Sequence, residues 1–142
     1  MPLDPVLVAN TRAWLQKSVA DLRRVESLLS VGEPDVEDAL FHCQQAAEKA
    51  LKALLTWHDE PFRKTHDLEA LSRQCVAVDP TLAPLLAAAD TLTEYAWAFR
   101  YPDSLPEPSE AEVQAARQLA GDIVAGVLER LPPEVRPPAP AP

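Results

Sequence analysis

Glycine is nearly missing from this chain, with three in 142 residues, and there are only two cysteines and one methionine. So few glycines leave little room for the tight turns of an all-β protein. Two cysteines do not make a disulfide framework. Cys43 falls on the apolar face of a helical stretch and Cys75 lies among apolar residues, which reads as two buried thiols in a reducing cytoplasm. The longest run without a charged residue is ten, Pro80 to Ala89, too short to span a bilayer. The start, MPLDPVLVANTRAW, lacks the basic residues and apolar run of a signal peptide. Basic residues are also scarce, 13 against 22 acidic, for a net charge of −9. That balance argues against bulk binding to nucleic acid, which depends on neutralising phosphates. No P-loop, G-x-G-x-x-G, G-x-S-x-G or H-E-x-x-H pattern occurs, so no cofactor is implied.

What is present is helical. Residues 35–58, DVEDALFHCQQAAEKALKALLTWH, contain no Gly or Pro and are rich in good helix formers. At 1.5 Å per residue this helix is roughly 35 Å long, the spine of the domain. Helical spacing sorts it into three strips. Val36, Leu40, Cys43, Ala47, Ala50, Leu51 and Leu54 form a core face, and Ala39, Ala46 and Ala53 a smooth flank for a close neighbour. Asp38, His42, Gln45, Glu48, Lys49, Lys52 and Thr56 make a polar strip, with Phe41 among them.

Around this spine the punctuation marks further helices. Asp4-Pro5 reads as an N-cap with Pro at the first helical position, opening a helix to about residue 30. Its expected inner face is Leu15, Val19, Leu22, Val25 and Leu29, and Gly32 is placed to end it in the left-handed conformation. Thr65 is the expected cap of a short helix over residues 66–76. Asp79-Pro80 opens a fourth helix, which runs to Arg100 before Pro102, with Pro84 able to delay its regular start. Ser109 and Glu112 fit a capping box for a fifth helix reaching Leu131. Residues 132–142 include six prolines and no periodic apolar face, which predicts an extended or disordered tail. The expectation is all-α: an up-and-down bundle of four long helices and one short one over residues 1–131, with a Pro-rich tail over 132–142.

Candidate sites follow from the outward faces. The polar strip fits a solvated face held by local pairs such as Glu48–Lys52. It also fits a surface where Gln45, Lys49 and Lys52 meet a partner or a phosphate-bearing ligand. His58, Asp59, His66 and Asp67 do not form a recognised metal spacing, so no metal is expected. On the fourth helix Leu85, Ala89, Leu92 and Ala96 define an inner face. Leu86, Thr93, Trp97 and Arg100 form a second stripe, either packed between neighbouring helices or set against another subunit.

Three pieces in order, FHCQQAAEKALKALL from Phe41, THDLEAL from Thr65 and AFRYPD from Ala98, resemble the HEPN domain family. The resemblance covers about residues 6–131. It implies an up-and-down helical bundle that forms homodimers. Many family members are ribonucleases or toxins, and others work beside a small nucleotidyltransferase in toxin–antitoxin pairs. The ribonucleases carry an Arg followed, after four to six residues, by a His. Here no Arg precedes His42, His58 or His66 at that distance, and Tyr101 to Glu107 contains no His after Arg100. The Arg-Tyr-Pro ending resembles the subgroup that lacks the ribonuclease motif. The resemblance therefore implies a non-catalytic dimer binding a nucleotide or a nucleotidyltransferase partner, with Gln45, Lys49, Lys52, His66 and Arg100 as candidate ligand residues. The alternative is a divergent ribonuclease using His66, Lys49 and Arg100.

Overall fold

The computed structural model describes residues 2–99, 102 and 106–138. Three long helices carry the bundle: α1 over Pro5–Leu29, α2 over Val36–Trp57 and, last in the chain, α5 over Glu110–Glu129. α3 is shorter, Leu68–Val78. The caps explain most of the starts. Asp4 accepts from the Val6 N–H ahead of Pro5, Asp35 accepts from Asp38, and Ser109 accepts from Glu112. α3 begins two residues later than its sequence suggests. Asp67, not Thr65, receives the N–H groups of Glu69 and Ala70, while the Thr65 hydroxyl accepts from Asp67.

The left-handed stop lies elsewhere than expected. Gly32 does not have positive φ; α1 ends at Ser30, whose N–H reaches Glu26 O. Among the described residues Asp59 alone has positive φ, at 54°. There Glu60 N–H bonds Leu55 O and Asp59 N–H bonds Thr56 O, the paired bonds that close a helix with a left-handed residue.

α2 is buried along both apolar strips. Leu40, Ala47, Ala50, Leu51 and Leu54 are inaccessible, and so are Ala39, Ala46 and Ala53. This small-residue flank lets α1 approach so closely that Ser18 donates its hydroxyl to Ala46 O at 2.7 Å. The contact seam of α1 is consequently Thr11, Leu15, Ser18, Asp21 and Val25. Val19, Leu22 and Leu29 pack half-buried at its sides.

The expected fourth long helix is broken. A 3₁₀ turn, Pro80–Leu82, leads into a single α-turn, α4 (Ala83–Leu86), and then a 3₁₀ helix, Ala89–Ala96. Leu86, Ala89, Leu92 and Tyr95 recur every third residue and all are buried, the eclipsed spacing of a 3₁₀ helix. Leu86 thus belongs to the core and not to an outer stripe. Gly126 of α5 admits the neighbouring Leu85, since a Cβ there would lie 2.2 Å from Leu85 Cδ2. The folded unit also continues past Leu131. The turn Pro133–Val135 packs on α1 with Val135 inaccessible and Arg12 donating to Glu134 O. The start of the Pro-rich tail is therefore ordered by contact with α1.

Candidate functional site

The polar strip of α2 is not a solvated face. Glu48 and Lys52 are 4% and 7% exposed, and Gln44 is inaccessible. The strip is covered on one side by α1 and on the other by the segment leading into α3, and it divides into two clusters.

In the first, Asp21 of α1 accepts from Lys49 at 2.6 Å, and its other oxygen lies 2.7 Å from His42 Nδ1. Asp21 is itself buried, so its charge has to be met by these neighbours. His42 Nε2 stands 3.8 Å from Asp38, at the open edge of the cluster.

The second cluster centres on Glu48. One carboxylate oxygen receives Lys52 Nζ at 3.1 Å; the other lies 2.6 Å from His66 Nδ1 and takes a 3.1 Å bond from Gln44 Nε2. Gln44 also donates to the His66 carbonyl, and Gln45 donates to Gln44 Oε1 at 2.7 Å. The Lys52 ammonium lies 5.5 Å from the Trp14 ring centre and 5.8 Å from that of Phe62, two rings in edge contact. Ring faces attract such a cation, so the two rings add to its pairing with Glu48.

Of the candidate ligand residues, Gln45, Lys52 and His66 are brought together around Glu48. Lys49 is drawn instead to Asp21. Arg100 lies outside the described residues. Of the four that are described, only His66 is largely open to solvent, its side chain 56% exposed. Sequence reading missed Asp21, Gln44, Trp14 and Phe62. The available signal was the row Gln44, Glu48, Lys52 at four-residue spacing, which ends beside Trp14.

A second surface surrounds the 3₁₀ helix. Thr93 turns inward, its hydroxyl accepting the Leu68 N–H at 3.1 Å. Trp97 stands 51% exposed. Tyr95 donates to Glu112 Oε1 at 2.7 Å and stacks on Phe99, with centroids 6.2 Å apart and planes 11° off parallel. Burial first, then the bond to Glu112, holds the Tyr95 phenol well above its usual range. Between these rings and the first turn of α2 runs an open groove of about 390 Å³, lined by Phe41, Trp97 and Phe99 and by Asp35, Glu37 and Asp38. Among the described residues no cluster of three His, Cys, Asp or Glu side chains is gathered as a metal ion requires, and no helix is long and apolar enough to cross a membrane.

Known proteins agree with this architecture. The crystal structure of TT1696 from Thermus thermophilus superposes with a TM-score of 0.69 at 32% identity, covering 85% of this chain and 98% of that one. A comparison with curated proteins finds no match. The model of the HEPN domain matches residues 11–131. With the match spanning the chain from α1 to the end of the bundle, the protein belongs to the HEPN domain family.

Proposed function

We propose that this chain is a non-catalytic, homodimeric HEPN protein of the cytoplasm that works through a partner, as one half of a toxin–antitoxin-like pair. The observation that supports this best is the fate of the cations. Lys49 and Lys52 are neutralised by Asp21 and Glu48 within the fold, which leaves neither as a free donor for phosphate. A small nucleotidyltransferase protein is therefore favoured over a free nucleotide as the partner. Leu86, which is buried, and Thr93, which accepts the Leu68 N–H, serve inside the subunit, which favours Trp97 over them as a surface contact.

The second reading, a divergent ribonuclease, is favoured by one feature. His66 is oriented by a buried carboxylate while its other edge faces solvent, as a general base would be. Incubating the pure protein with a labelled single-stranded RNA pool, without metal, decides between the two. No cleavage is expected. Cleavage that His66→Ala abolishes would establish the enzyme instead. Light scattering on the same preparation should give a dimer, and a monomer at micromolar concentration would remove that part of the reading.

A further inference from the structure

We propose that the groove beside Trp97 docks a cationic, Arg- or Lys-bearing segment of a different protein, and is not the face on which two copies of this chain pair. The inference rests on the reading that the partner is a protein, and it specifies that partner's chemistry.

The groove is built before anything enters it. Tyr95 is pinned by Glu112 and stacked on Phe99, and Phe41 meets the His42 ring edge-on at 5.2 Å. Trp97 rises from this floor half in water, although Tyr95 and Ala96 just before it are buried. On the other wall stand Asp35, the N-cap of α2, and Glu37 and Asp38 in its first turn, where the helix dipole suits negative charge. His42, 3.8 Å from Asp38, is the one basic group this close to any of the three among the described residues.

Aromatic faces opposite carboxylates are what a guanidinium or ammonium group prefers. The rings attract the cation through their negative faces, and the carboxylates pair with its N–H groups. A volume of about 390 Å³ admits a long side chain with its flanking backbone. Self-association on this face would have the opposite electrostatics. A two-fold axis through Trp97 would set the three carboxylates of one copy near those of the other, on chains that each carry −9. Like charges so placed oppose association, whereas a cationic segment pairs with the carboxylates and is steered in by their negative potential.

The probe is a fluorescein-labelled peptide of alternating Arg and Leu blocks, with a Glu/Leu counterpart, titrated into the full chain and followed by anisotropy. The Arg peptide should bind saturably and the Glu peptide should not. Trp97→Ala and the triple change Asp35→Asn, Glu37→Gln, Asp38→Asn should each weaken binding about tenfold or more, roughly 1.4 kcal/mol. A control triple on other elements, Glu60→Gln, Asp122→Asn, Glu129→Gln, removes the same charge and should weaken it far less. Equal losses in both triples would mean bulk attraction and overturn the groove. So would absence of saturable binding, or a wild-type dimer that Trp97→Ala turns into monomer. RNA cleavage by the same preparation would instead remove the partner reading on which the inference rests.

Discussion

His66 Nδ1 lies 2.6 Å from Glu48 Oε1, joining the segment before α3 to the middle of α2 across 18 residues of sequence. The contact makes Glu48 the meeting point of three elements, because Lys52 on its other oxygen rests against Trp14 of α1. A buried carboxylate in that position is costly to leave without its cation.

Lys52→Ala should therefore destabilise by about 3–5 kcal/mol, the range for breaking a buried pair. Leu54→Ala, from the inaccessible core face, should cost about 2–5 kcal/mol. The exposed position that sequence assigns to Lys52 predicts a change within about 0.5 kcal/mol instead. Urea melts separate the two expectations. The double variant Glu48→Gln, Lys52→Met should recover part of the loss, because it strands no charge. A Lys52→Ala protein as stable as the wild type would dissolve the case for the pair.

Thr93 offers a separate test of the broken fourth element. Its hydroxyl is the acceptor for the Leu68 N–H at the start of α3. Thr93→Val keeps the shape and removes the acceptor, so it should cost about 1–2 kcal/mol, while Thr93→Ser should stay near wild type. Amide exchange at Leu68 should accelerate in the valine variant alone. If valine and serine behave alike in thermal melts, the bond contributes nothing.

The two cysteines predict a dependence on pH. Burial raises both thiols from an ordinary value of 9.0 to about 12. Because the folded values lie above the unfolded one, their contribution to stability is complete below about pH 9 and is lost as pH rises toward about 12. Native protein near pH 8 should not react with a disulfide reagent, and unfolding in urea should release two thiols. Rapid labelling of the native protein would place at least one thiol at the surface.

Much of the fold was legible because its signals are local. The caps Asp4 and Ser109 stand where the sequence puts them, and so does the apolar face of α2. The fourth element was not, since Leu85, Ala89, Leu92 and Ala96 fit a 3.6-residue period as well as Leu86, Ala89, Leu92 and Tyr95 fit a period of three. The site was legible only in part. Gln45, Lys52 and His66 do gather, but Lys52 is covered by Trp14 and Phe62, whose approach no local pattern records. Lys49 went to Asp21 for the same reason: its partner lies 28 residues earlier on another helix.

The 3₁₀ winding of Ala89–Ala96 also acts as a ruler. Eight residues at about 2.0 Å each advance roughly 16 Å, against roughly 12 Å for an α-helix of equal length. The extra reach, about one residue of extended chain, carries Trp97 clear of the buried row behind it. Rewinding the segment as α-helix would retract the indole and turn it to a different bearing. The amount of aromatic surface this protein offers is thus fixed by the pitch of one short helix as well as by the identity of the residue at its end.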